Sequence, residues 1–130
     1  LAHTHAANNW NLVDVSAHHI LGAHLWQRDR QVLFDLARSK VLWDRRIAVV
    51  ATWYFIKRED CEDALRLVEV LLDDREDLIH KACGWMLREV GKVDHQLLRK
   101  FLENFRDKMP RVMLRYAIEK FSDVEREKFL

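Results

Sequence analysis

Two residues four positions apart, Trp10 and Asp14, stand where a helix would place them on one face. An indole ring and a carboxylate side by side both stabilise positive charge, so they suit a cationic or oxocarbenium-like species. The alternative is a core tryptophan beside an ordinary surface carboxylate. Asp44, Arg45 and Arg46 open the next long apolar stretch. Adjacent arginines near a helix N-terminus gain nothing from the macrodipole, which prefers anions there. They suit a phosphate placed opposite, or ion pairs with Asp44 or Asp14. Further on, Gly84 precedes Trp85 inside a helical pattern. A mid-helix glycine costs about 1 kcal/mol relative to alanine, a cost that reflects close packing or room for a ligand. Trp85 either lines such a site or belongs to the core.

Other chemistries find little support. His3, His5, His18, His19 and His24 lie before residue 25, but their spacing does not form an i, i+4 ligand pair, and His80 and His95 stand apart. No metal site and no cofactor are expected. The sequence has no glycine-rich phosphate loop, nucleophile elbow or HExxH motif. Cys61 and Cys83 lack CxxC spacing and read as small buried hydrophobes of a reducing compartment. No apolar run approaches the ~20 residues of a membrane span. No signal peptide is visible, and the cytoplasm is the expected location.

Almost all of the sequence that must position these groups is helical. Three glycines and one proline among 130 residues are too few for the turns of an all-β chain. Trp10, Val13, Ala17, Ile20, Leu21 and Leu25 recur at helical spacing after an Asn8 or Asn9 cap. Further helices are expected at 30–38, 42–57, 60–73, 77–92, 94–106, 110–121 and 122–130. Asp60, Asp94 and Ser122 are natural N-caps, and Pro110 suits a first helical position. Connections of a few residues imply antiparallel neighbours. Asp60 and Asp94 stand 34 residues apart, as do Ala48 and Ala82, which suggests a helical-repeat array. The signature of tetratricopeptide repeats is missing. The expected fold is therefore an all-α, HEAT-like α-solenoid forming a single domain over 1–130. Residues 1–7 read as the tail of an earlier helix, so a C-terminal portion of a longer protein is expected.

The net charge of +1 says little, but its distribution is uneven. The first helix of each pair carries net positive charge, whereas 60–75, with Glu62, Asp63, Glu69, Asp73 and Asp74, is strongly acidic. A solenoid would place a basic stripe opposite an acidic back. Arg45, Arg46, Lys81, Arg111 and Arg115, joined by Arg88, form the candidate DNA-binding set. A merely solvated face is the alternative.

Three ordered blocks, Asn9–Asp14, Leu42–Ala48 and His80–Glu89, closely resemble the AlkD-type DNA alkylation repair family, and Arg111–Glu119 resembles its closing helix. Asn11 stands where relatives often carry Asp. The resemblance implies a HEAT-like solenoid that cups duplex DNA, preceded by further N-terminal helices. It implies a monomeric, cofactor-free hydrolase that cleaves the N-glycosidic bond of cationic purines such as 3-methyladenine and 7-methylguanine, with the base left stacked. By motif, Asp14 matches the catalytic carboxylate, Trp10 and Trp85 the aromatic pair that cradles the deoxyribose, and Arg46 the phosphate-contacting arginine. The chemistry agrees: an alkylated purine leaves neutral and needs no general acid, so one carboxylate near the cationic sugar suffices. The competing reading is a non-catalytic HEAT-like scaffold for DNA or protein.

Overall fold

Apolar residues at helical spacing, interrupted every ten to twenty residues by short polar turns, leave the chain little choice but to stack helix on helix. The computed structural model describes residues 16–130. Among them there are helices and turns and no strand. A π-helical segment, Ala17–Leu21, runs directly into α1 (Gly22–Leu25). Then follow α2 (Gln31–Ala37), α3 (Leu42–Ile56), α4 (Glu62–Val70) and α5 (Asp77–Val93). The chain continues through α6 (His95–Phe105), a 3-10 turn, α7 (Arg111–Ala117) and α8 (Asp123–Phe129). From residue 31 on, the sequence patterning places these helices correctly, and most ends fall a few residues inside the expected bounds; the expected start of the first helix, at Trp10 after an Asn8 or Asn9 cap, lies outside the described residues.

Two expected caps form. The Asp94 carboxylate accepts the Leu97 N–H at 3.1 Å, and the Ser122 hydroxyl accepts the Glu125 N–H at 3.2 Å. Asp60 does not cap. Cys61 occupies the N-cap of α4 without a side-chain bond, and the Asp60 carboxylate instead accepts from Arg30 at 2.9 Å. The end of α3 explains why. The Asp60 N–H bonds the Phe55 carbonyl and the Glu59 N–H bonds the Ile56 carbonyl, with Glu59 at φ 67°. This is a Schellman closure with glutamate where glycine is usual, and it carries Asp60 out of capping position. Pro110 stands one residue before α7, as its N-cap, and the helix ends at Ala117.

The long helices α3 and α5 form the centre. α3 packs on α1 with its π-helical lead, and on α5; α5 packs in turn on α7. The shorter α2, α4 and α6 cover the other side, α2 and α4 against α3, α4 and α6 against α5. Ala48 and Ala82, related by the repeat spacing, are both buried in the resulting core with Phe55, Leu67, Ile79 and Met86.

Successive junctions between α1, α3, α5 and α7 share one register. Gly22 meets Tyr54, Trp53 meets Trp85, and Gly84 meets Tyr116, each pair 32 residues apart. Arg46 of α3 reaches the Leu78 carbonyl at the same separation. From Arg46 to Trp53, and from Leu78 to Trp85, is seven residues, two helical turns. The contacts therefore advance together along both helices, which makes α3 and α5 parallel. Gly84 is glycine because a Cβ there would lie 2.5 Å from the Tyr116 Cβ and 2.7 Å from the Met113 carbonyl oxygen. Of the two readings that the sequence left open for this glycine, close packing is the one that the structure supports.

Candidate nucleic-acid interface

Helix α5 packs on α3 and α7 at its sides and on α4 and α6 behind, and its outer side reaches solvent. The buried positions Ile79, Ala82, Cys83, Met86, Leu87 and Val90 face the core. Lys81, Trp85, Arg88 and Lys92, spaced by four, three and four residues, run along that side, where Glu89 pairs with Lys92 at 3.1 Å. These positions set three cations about one indole ring.

Trp85 is half-buried, and its ring packs against Trp53 of α3, centroids 4.9 Å apart and planes inclined at 63°. One turn beyond Trp53, the Lys57 ammonium lies 4.3 Å from the Trp53 ring centroid. Next to it the Arg58 guanidinium sits 3.5 Å from the Tyr54 ring centroid. The α3–α5 junction thus ends in an aromatic cluster edged by two exposed cations. None of Trp53, Tyr54, Lys57 and Arg58 was singled out from the sequence. The i, i+4 spacing of Trp53 and Lys57 was the available signal, since it stacks a cation on a ring of the same helix.

The expected basic residues have diverse surroundings. Arg46 is 8% exposed, and one of its nitrogens donates to the Leu78 carbonyl at 2.7 Å. Arg45 turns away to Asp74, Nε to Oδ2 at 2.7 Å, and also donates to the Ser39 carbonyl at 3.1 Å. The Arg45 and Asp74 side chains are 14% and 7% exposed, so this is a nearly buried pair. Lys81 pairs with Asp77 at 3.1 Å on the surface of the same helix. Arg88 crosses to Glu119, the residue after Ile118 at the end of α7. Arg111 and Arg115 are exposed on α7 and pair with no carboxylate among the described residues. Trp10 and Asp14 lie outside the described residues. The structure therefore brings Arg46 and Trp85 to one α3–α5 junction, two turns apart along it.

The opposite side differs in charge. Glu62, Glu69 and Asp73 are exposed on and after α4. Arg30 inserts beneath this side, with Nη1 2.8 Å from Asp63 and 2.9 Å from Asp60 and its guanidinium 3.8 Å from the Phe55 ring centroid. Burial works against that charge, and the bonds to Asp63 and Asp60 outweigh it, so Arg30 holds its proton more tightly than usual.

Neither cysteine is built to react. Complete burial pushes the Cys83 thiol far up, with Asp74 adding to the effect and Arg46 opposing it. Burial also raises Cys61, helped by Asp60, Asp94 and Glu59. Among the described residues no three His, Cys, Asp or Glu side chains converge in a way that could hold a metal ion. No helix among them is long and apolar enough to cross a membrane.

No curated protein matches the chain. A family model does: that of the DNA alkylation repair enzymes, over residues 1–121, a span that includes Trp10, Asp14, Arg46 and Trp85. The partly exposed cations and indole of α5, the exposed arginines of α7 and this match agree, and the chain belongs to the DNA alkylation repair enzyme family.

Proposed function

We propose that the chain is an alkylpurine DNA glycosylase whose α1, α3, α5 and α7 line the DNA-facing side of a HEAT-like solenoid. The constant 32-residue register between these helices supports the solenoid, because equal steps between parallel neighbours generate a superhelix. The observation that carries the functional reading is the strip Lys81, Trp85, Arg88 and Lys92 within the family match. Lys81, Arg88, Arg111 and Arg115 meet phosphates of duplex DNA. Arg46, tied at one nitrogen to the Leu78 carbonyl, presents its charge at a set depth. Arg45 serves the fold through Asp74.

Trp85 supplies a ring face to the deoxyribose of the lesion, together with Trp10. Alkylation at N3 or N7 makes the purine cationic, so it departs neutral and no general acid is required. Positive charge then develops on the sugar. Asp14 stabilises that charge and orients the attacking water. Substrates of this class include 3-methyladenine and 7-methylguanine in duplex DNA, bound by a monomer.

The test is single-turnover release of 7-methylguanine from a methylated duplex. Asp14→Asn is expected to bind DNA as tightly as wild type, and to lose ~10²–10³ in rate, the usual effect of removing one well-placed electrostatic group. Equal excision by both proteins would refute the role of Asp14. DNA binding without excision by the wild type would favour a scaffold.

A further inference from the structure

Among the described residues the aromatic ring in contact with Trp85 is that of Trp53. Trp85 packs against the core but remains partly exposed, which leaves its side chain some rotamer freedom. Packing on Trp53 from the neighbouring helix removes that freedom: a centroid distance of 4.9 Å at 63° is an edge contact, favoured by the ring quadrupoles. Trp53 is itself held from two sides. It packs against the core, and Lys57 covers its ring at 4.3 Å. The two tryptophans sit on different, parallel helices, so their contact also links the register of the α3–α5 junction to the direction of the Trp85 ring.

We infer that Trp53 is a positioning residue for the glycosylase reaction, fixing the ring of Trp85 in the orientation that faces the lesion sugar. This rests on the role given to Trp85 above. Trp53 acts through Trp85 and need not touch DNA. Its effect therefore falls on the rate of the bound complex more than on affinity.

The experiment compares wild type, Trp53→Leu, Trp53→Phe, Trp85→Ala and the Trp53→Leu/Trp85→Ala double variant. Single-turnover release of 7-methylguanine, the dissociation constant for the same duplex and the thermal midpoint are measured for each. The coupled circular-dichroism band of two contacting indoles reports the pair directly. Trp53→Leu is expected to lose that band and to slow excision about tenfold, with the dissociation constant within about twofold, the scale of one lost aromatic contact. Trp53→Phe keeps a ring in place and is expected to stay within about threefold of wild type. The double variant is expected to be no slower than Trp85→Ala alone, since both changes remove one function. Wild-type excision by Trp53→Leu, with Trp85→Ala impaired, would overturn the positioning role and leave that of Trp85 standing. Slowing that is additive in the double variant, or that merely follows a fall in thermal midpoint shared by Trp53→Phe, would overturn it also. Undiminished excision by Trp85→Ala would instead remove the reading on which it rests, and this inference with it.

Discussion

Replacing Gly84 by alanine puts a methyl group where the structure has no room. The new Cβ would lie 2.5 Å from the Tyr116 Cβ and 2.7 Å from the Met113 carbonyl oxygen, both belonging to α7. Carbon atoms at contact stand about 3.5–4.0 Å apart, so α7 must retreat by about 1 Å at this level. Overpacking of this kind costs typically ~1–3 kcal/mol. Alanine returns up to about 1 kcal/mol as the better helix former. The net expectation is a destabilisation of about 1 kcal/mol. Gly91, in the same helix, supplies the control. A Cβ there would approach Leu98 Cδ2 at 2.6 Å, the far end of a side chain that can turn aside. Gly91→Ala is therefore expected to be neutral or mildly stabilising. Urea and thermal unfolding of both variants measure the difference, which should be ~1–2 kcal/mol in favour of Gly91→Ala, or several degrees in Tm. Gly84→Ala also shifts Trp85 relative to Arg115 and should weaken DNA binding. If Gly84→Ala proves as stable as Gly91→Ala, the close-packing explanation of Gly84 is refuted.

Arg45→Ala should destabilise the fold by about 3 kcal/mol, because it leaves the nearly buried Asp74 carboxylate without its cation and with the Glu76 N–H, and a denaturant midpoint close to wild type would contradict this. Arg111→Ala and Arg115→Ala should leave stability unchanged and each reduce the salt dependence of DNA binding by about 0.9 in log–log slope, measured by titration at several salt concentrations. Unchanged slopes would remove α7 from the interface. The Cys83 thiol is raised above its ordinary value of 9.0 in the folded chain, so its contribution to stability is complete below that value. The contribution declines as pH climbs further, because the unfolded thiol ionises first. Between pH 8 and pH 10 the urea midpoint of the wild type should therefore fall more steeply than that of Cys83→Ala; parallel profiles would show that the thiol is not the cause.

Sequence alone determined what depends on near neighbours. Apolar spacing along 42–57 and 77–92 marked the two central helices, and the oxygens of Asp94 and Ser122 bond N–H groups three residues on. The order of the Asn9–Asp14, Leu42–Ala48 and His80–Glu89 blocks was enough for the family, which the match over residues 1–121 shows. Of the candidate site, Trp85 and Arg46 were legible as residues of interest, without their surroundings. Tertiary structure decided the rest. Asp60 looks like a cap in sequence, yet Arg30, thirty residues away, takes its carboxylate once α2 lies against α3 and α4. By residue type and position Arg45 and Arg46 look alike, and the family resemblance alone singled out Arg46. Successive residues on a helix point about 100° apart, so one meets Asp74 and the other the Leu78 carbonyl. Trp53 drew no notice because its partner Trp85 is 32 residues distant, and only the parallel register of α3 and α5 brings the rings together. A side chain's chemistry is written in its residue type, but whether that chemistry faces water, a neighbouring charge or another ring depends on how whole helices turn toward one another.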